Sequence, residues 1–151
     1  MPQSLARVWI HLIFSTKHRY PFLKDDAHRR DMHGFLATTL RTLDCETLIV
    51  GGVEDHIHGL FALSRNYSIA TVVKEIKRTS SAWIKEIAPR LAKFHWQNGY
   101  GAFSVSQSDI GEVVTYIERQ EEHHKRVTFQ DEYRAFLRAY RVPYDERYAW
   151  D

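Results

Sequence analysis

Two histidines, His56 and His58, are separated by a single residue in the segment EDHIHGLF, residues 54–61. Residues two apart on a β-strand project from the same face, and imidazole nitrogens bind divalent metals, so His56 and His58 could hold one metal ion together. The chain contains nine histidines in 151 residues, and roughly 0.5 such pairs are expected by chance. A pair of half-buried, hydrogen-bonded histidines is therefore an equally good interpretation of this segment alone.

A tyrosine and a glutamine stand four residues apart in the segment IGEVVTYIERQEEHHKR. We predict a helix at 109–126 that begins at Asp109, with Glu112 at capping-box spacing, and this helix places Tyr116 and Gln120 on one face. An amide oxygen is a hard metal ligand, and a phenol is a nucleophile only where its surroundings favour loss of the proton. When this helix is considered without other evidence, Tyr116 is more simply explained as a surface tyrosine on an amphipathic helix.

The elements that must position these residues follow from the spacing of apolar side chains. Alternating apolar residues predict strands, and apolar residues at helical spacing after a capping residue predict helices. The predicted caps are Asp25 or Asp26, Ser68 and Thr128. In chain order we predict a strand at 7–16, a helix at 26–43, two strands within 46–64, a helix at 69–87, a strand at 102–106, the helix at 109–126 and a last helix at 129–140. This order is that of a ferredoxin-like split unit, so the predicted fold class is α+β, with an antiparallel sheet, helices packed on it and additional C-terminal helices.

Composition limits the kind of protein that this chain can form. The sequence is 44% hydrophobic and 26% charged with a net charge of +2, which is typical of a globular protein, and we expect one domain over residues 1–151. Cys45 is the only cysteine, which excludes an intramolecular disulfide and a cysteine-based zinc site. No apolar segment approaches the ~20 residues of a membrane span. We therefore expect no membrane association and a cytoplasmic location.

Basic residues are concentrated between Arg65 and Lys93, a segment that contains seven lysines and arginines and two glutamates. A solvated helix face explains this charge, and so does a surface for a polyanion. If the partner is DNA, hydroxyl and cationic side chains of the second helix would bind backbone phosphates, and aromatic side chains near the glycines that follow would stack on unpaired bases. The residues predicted for these contacts are Lys74, Lys77, Arg78, Ser80, Ser81, Trp96 and Tyr100.

Four segments together resemble a known family. EDHIHGLF, SIATVVKEIKRTSSAWI, WQNGYGAFSVS and VVTYIERQEEHHK occur in the order found in the single-tyrosine HUH transposases of small bacterial insertion sequences and their domesticated repeat-associated relatives. The resemblance covers nearly the whole chain. It implies that His56 and His58 are metal ligands, that Gln120 is the third ligand, and that Tyr116 is the nucleophile. His11, His123 and His124 receive no role from it.

The resemblance also implies an activity. Members of the family are ferredoxin-like dimers that cut and rejoin single-stranded DNA, often at hairpins, with Mg²⁺ or Mn²⁺ and through a 5′-phosphotyrosine intermediate; the tyrosine helix can complete the site of the partner subunit. Two alternatives remain open from the residues. The protein could be an inactive or domesticated relative that binds DNA hairpins without cutting, or a metal phosphoesterase that uses water and leaves Tyr116 idle.

Overall fold

The computed structural model describes residues 3–151 and is built around four β-strands: β1 (Trp9–Ser15), β2 (Glu46–Gly52), β3 (His56–Ala62) and β4 (Gly101–Val105). These strands form one antiparallel sheet in the order β2-β3-β1-β4. Helix α1 (Asp26–Thr42) connects β1 to β2, and α2 (Ile69–Ile87) connects β3 to β4. The predicted ferredoxin-like α+β fold is thus confirmed. Residues 1 and 2 of the predicted domain lie outside the described residues.

One face of the sheet packs against α1 and α2. Alternation in β1 sends Ile10, Leu12 and Phe14 to this side, where all three are buried. The helices contribute apolar residues at helical spacing, which are Met32, Leu36, Leu40, Val72, Ile76 and Ile84. Asp25 and Ser68 cap these helices as predicted, because each side chain accepts a backbone N–H of the first turn at 3.1 Å.

The opposite face of the sheet carries the two histidines of β3 and is covered by the C-terminal helices α3 (Ile110–Glu118), α4 (Gln120–His123) and α5 (Phe129–Ala139). Thr128 caps α5 as predicted, accepting the N–H of Asp131 at 3.2 Å. Apolar residues of α5 pack against Ile13 of β1 and Phe103 of β4. The sheet is therefore enclosed on both sides, and the histidines lie beneath helices.

The predicted helix at 109–126 is interrupted. Arg119 has φ −98° and ψ 19°, which separates α3 from the short α4. Asp109 directly precedes α3, but its predicted side-chain cap is wrong: its φ of −99° and ψ of −1° are not the extended conformation of a capping residue. Its carboxylate instead accepts the hydroxyl of Ser106 at 3.0 Å. Among the helices of residues 3–151, none is long and apolar enough to cross a membrane.

Candidate active site

His56 and His58 both have 0% of their surface exposed, and each ring is held at its Nδ1 atom. The carboxylate of Asp55 lies 2.7 Å from Nδ1 of His56, and Nε2 of His11 lies 2.8 Å from Nδ1 of His58. An orienting partner on one ring nitrogen is the usual arrangement around a metal-binding histidine, because it sets the tautomer and leaves the other nitrogen for the ion. The Nε2 atoms of both rings are directed at the same carboxylate group.

Glu132 of α5 is the group that these Nε2 atoms face. Its Oε1 atom lies 2.9 Å from Nε2 of His58 and 3.4 Å from Nε2 of His56. His124 joins them, with its Nε2 atom 3.2 Å from the same oxygen. One possible ligand atom from each of these four residues lies within 4.8 Å of all the others. Three imidazoles and a carboxylate at this spacing suit a divalent metal ion.

Tyr116 and Gln120 reach the same cluster despite the helix break between them. The hydroxyl of Tyr116 donates a hydrogen bond to Oε2 of Glu132, and the amide nitrogen of Gln120 donates to the same oxygen at 3.1 Å. The amide oxygen of Gln120 lies 3.2 Å from Nε2 of His56. Nε2 of His123 is 3.3 Å from the tyrosine hydroxyl. One chain therefore brings together all four residues that the sequence predicted for the site.

Charge in this buried cluster is controlled by neighbouring groups. Burial lowers the pKa of His56, but the carboxylates of Asp55 and Glu132 outweigh burial and raise that pKa to about 9. Burial dominates at His58 and lowers its pKa to about 4. Burial alone raises the pKa of Glu132, yet the imidazoles of His124, His56 and His58 beside its carboxylate hold it below its usual range. Glu132 is therefore an anion among imidazoles.

Tyr116 is a neutral phenol in this arrangement. Burial first, and then the negative charge of Glu132, raise the pKa of Tyr116 well above its ordinary value. A nearby anion disfavours a second negative charge, so the tyrosine keeps its proton until a partner takes it. The hydrogen bond to Glu132 identifies the oxygen that faces this proton.

Most of the residues predicted to contact DNA line a single groove of about 370 Å³ between α2 and residues 95–100. Lys74 and Arg78 are exposed at this groove, and the guanidinium of Arg78 is paired with Glu75 at 2.7 Å. Six of the seven predicted residues share this groove, namely Lys74, Lys77, Arg78, Ser81, Trp96 and Tyr100. The structure thus brings together side chains that lie more than twenty residues apart.

Two of the predicted DNA contacts are not supported by this structure. Trp96 has only 3% of its surface exposed, and its indole N–H donates to the hydroxyl of Ser80 at 2.9 Å. Ser80 is itself fully buried. Neither side chain has an exposed surface for DNA, because both are buried and hydrogen-bonded to each other. Lys77 is half-buried and donates to the carbonyl oxygens of Gln97 and Gly99 at 2.8 and 2.7 Å.

Comparison with known proteins identifies the family. A family model described as "Transposase IS200 like" matches residues 4–120. The chain belongs to the IS200-like transposase family. No curated protein matches it. The structure of a candidate transposase from Deinococcus radiodurans R1 is 22% identical, with 80% of this chain and 95% of that chain covered and a TM-score of 0.63.

A second similar structure is that of a REP-associated tyrosine transposase bound to a REP hairpin. It is 15% identical, with 84% of this chain and 74% of that chain covered and a TM-score of 0.59. At such low identity, both structures show that the fold is shared. The family match ends at Gln120, so in this IS200-like transposase Glu132 and His124 lie beyond the matched segment.

The sequence analysis missed Glu132 and assigned no role to His124, although each had a signal. His124 follows Gln120 by four residues, so it continues the spacing that begins at Tyr116. Glu132 interrupts the apolar stripe of α5, between Phe129 and Tyr133. A charged residue at a core-facing helical position is usually retained because it has a partner inside the protein.

Proposed function

We propose that this protein cleaves and rejoins single-stranded DNA by transesterification, with Tyr116 as the nucleophile. The observation that carries the proposal is the hydrogen bond from the Tyr116 hydroxyl to Glu132 within a buried cluster of histidines. Membership of the IS200-like family supports a DNA-cleaving transposase. The cluster supports metal-assisted chemistry on a phosphodiester, since imidazole and carboxylate donors bind the ions that such reactions use.

The proposed cleavage exchanges one ester bond for another. The oxygen of Tyr116 attacks the scissile phosphorus, forming a 5′-phosphotyrosine bond as the bond to the 3′ oxygen breaks. Oε2 of Glu132 accepts the hydrogen bond of the tyrosine hydroxyl and orients its oxygen; the proton that the tyrosine loses as the new bond forms is balanced by the proton that the leaving oxygen gains. The leaving oxygen takes up a proton and becomes a 3′-hydroxyl. In the rejoining step a 3′-hydroxyl attacks the phosphotyrosine, so no nucleotide cofactor supplies energy.

His56, His58 and Gln120 are the residues that we propose as holders of Mg²⁺ or Mn²⁺. When bound, the ion polarises a phosphate oxygen and offsets charge in the transition state. The imidazole donors favour Mn²⁺ over Mg²⁺, because Mg²⁺ prefers oxygen ligands. Asp55 holds the ring of His56 and His11 holds the ring of His58, so that both Nε2 atoms remain directed into the site.

For the substrate, we propose single-stranded DNA that forms a hairpin, by analogy with the REP hairpin bound by the structurally similar transposase. Lys74 and Arg78 are exposed at the groove beside α2 and would bind phosphates, and Tyr100 would stack on a base.

A homodimer remains a prediction from the family resemblance. The mass of the protein in solution tests it.

The test of this function is covalent capture of DNA. Labelled single-stranded hairpin DNA is incubated with the protein and Mn²⁺, and a denaturing gel should show a protein–DNA adduct that Tyr116→Phe abolishes. Tyr140→Phe is the matched control, because among residues 3–151 the Tyr140 hydroxyl bonds only the carbonyl of Ser104, and this variant should form the adduct normally. An adduct that persists in Tyr116→Phe overturns the nucleophile.

The same gels separate the two alternative functions. Cleavage without any adduct in the wild-type protein would indicate a phosphoesterase that uses water. Hairpin binding without cleavage, measured by fluorescence anisotropy, would indicate an inactive relative. Substitution of His58 by alanine should abolish cleavage while leaving hairpin affinity largely intact, because cationic side chains supply most of the attraction for phosphates.

A further inference from the structure

The two carboxylate oxygens of Glu132 have separate sets of partners. Oε1 faces the imidazoles of His58, His124 and His56 at 2.9, 3.2 and 3.4 Å. Oε2 faces the hydroxyl of Tyr116, with the amide nitrogen of Gln120 at 3.1 Å. One oxygen of Glu132 thus faces the three histidines, and the other faces the proposed nucleophile Tyr116.

We infer that Glu132 and His124 are donors to the metal site of this protein, with Oε1 of Glu132 directed to the ion and Oε2 holding the hydroxyl of Tyr116. The inference rests on the proposed function in one respect, the presence of a divalent metal at His56 and His58. It extends the site to two residues beyond the segment that the family model matches.

The first argument is the number of nitrogen atoms around one oxygen. A carboxylate oxygen has two lone pairs, yet three Nε2 atoms lie within 3.4 Å of Oε1. A structural ion pair requires one such partner. Three imidazoles and a carboxylate oxygen that converge on one point are instead the arrangement of a metal-binding site, where the ion satisfies all of them at once.

The second argument concerns charge. Glu132 is only 3% exposed, and burial of a carboxylate is costly unless an opposite charge lies close to it. Within residues 3–151 the ion-pair partners of Glu132 are all histidines, and no lysine or arginine contacts it. A divalent cation beside Oε1 would take the place of the positive charge that a protonated histidine supplies there. A third imidazole in the site also shifts its preference from Mg²⁺ towards transition metals such as Mn²⁺.

The third argument is the position of α5. This helix packs against the face of the sheet that carries the histidines, with the ring centroid of Phe129 4.7 Å from that of His56 and the two rings tilted by 40°. Glu132 is therefore held in place by a packed helix. A donor on a rigid element keeps its oxygen at a constant distance from its partners, which a metal site requires.

The test measures Mn²⁺ binding directly and needs no DNA. The protein comprising residues 1–151 is stripped of metal, and Mn²⁺ is titrated by calorimetry into the wild type, Glu132→Gln and His124→Ala. Each substitution should weaken Mn²⁺ affinity at least about tenfold, since even partners outside the ligand set change affinity by that much. Asp131→Asn is the matched control, because Asp131 is the exposed acidic neighbour of Glu132 on α5, and it should bind Mn²⁺ within about twofold of the wild type.

Two further variants make the outcome decisive. Tyr116→Phe removes one partner of Oε2 and none of Oε1, so it should weaken Mn²⁺ binding less than Glu132→Gln does. His124 lies outside α5, so His124→Ala tests the site even if Glu132→Gln is poorly folded in circular dichroism. Unchanged or tighter Mn²⁺ binding in His124→Ala and in folded Glu132→Gln overturns the inference.

Failure of the proposed function gives a different result. A wild-type protein that binds Mn²⁺ through Glu132 and His124 but forms no DNA adduct would support the metal site and contradict the strand-transfer activity. A wild type that binds no Mn²⁺ overturns the metal site itself.

Discussion

Gly51 of β2 lies against Ile117 of α3 so closely that a Cβ atom at position 51 would be 2.9 Å from Cγ2 of Ile117 and 3.1 Å from its carbonyl oxygen. Gly51 pairs with His58 across the sheet, so α3 rests directly beside the histidine strand. Ile117 follows Tyr116 in sequence. The absence of a side chain at Gly51 therefore allows the helix that carries Tyr116 to approach the face of the sheet that carries His56 and His58.

Substitution of Gly51 by alanine tests this close packing. The new Cβ should push α3 away from β2. The free energy of unfolding should fall by about 1–3 kcal/mol, which is the usual cost of overpacking a protein core. Because Tyr116 moves with α3, formation of the DNA adduct should fall by a larger factor than the change in stability explains. Adduct yield in folded protein and chemical denaturation provide the two measurements.

Gly59→Ala is the control for this prediction. Gly59 lies on the adjacent strand β3, and a Cβ atom there would meet only Cγ2 of Val50, at an ordinary 3.9 Å. Its adduct yield should stay near that of the wild type. Equal losses in Gly51→Ala and Gly59→Ala would show that the close approach of α3 has no special importance.

Substitution of Asp55 by asparagine tests the orientation of His56. The carboxylate of Asp55 lies 2.7 Å from Nδ1 of His56, and the amide keeps the shape but loses the charge. Mn²⁺ affinity should fall about 10- to 100-fold, which is typical for the loss of such a partner. Glu54→Gln, at the exposed neighbouring position, should bind Mn²⁺ as the wild type does. Equal affinities of the two variants, measured by calorimetry, would contradict this role of Asp55.

Lys77 and Lys74 lie on the same helix, yet we expect them to act differently. Nζ of Lys77 donates to backbone carbonyls of residues 97–99, so Lys77→Met should lower the free energy of unfolding by about 1–3 kcal/mol through loss of hydrogen bonds from a charged group. Lys74 is exposed, so Lys74→Met should leave stability within about 0.5 kcal/mol of the wild type.

DNA binding distinguishes the two lysines further. Lys74→Met should weaken hairpin affinity and reduce its dependence on salt concentration, because one phosphate contact is lost. Anisotropy titrations at several salt concentrations measure both effects. A salt dependence identical to that of the wild type would exclude Lys74 from the DNA-binding surface.

Local patterns in the sequence determined the order of the elements and the shared face of the two histidines, and the family resemblance supplied the roles of the site residues. Alternation in β1 and β3, helical spacing in α1 and α2, and the caps Asp25, Ser68 and Thr128 involve residues within a few positions of each other. Such patterns predicted the β-α-β-β-α-β order. The two-residue period of a strand also required His56 and His58 to share a face, as they do.

Only the tertiary structure decided which groups meet these histidines. Glu132 is 74 residues from His58 in sequence and contacts it at 2.9 Å, because α5 packs across the sheet. The burial of Trp96 beside Ser80 likewise depends on the path of a loop over α2. Contacts of this kind depend on the packing of whole elements, and no short pattern of residues encodes which face of the sheet a later helix covers.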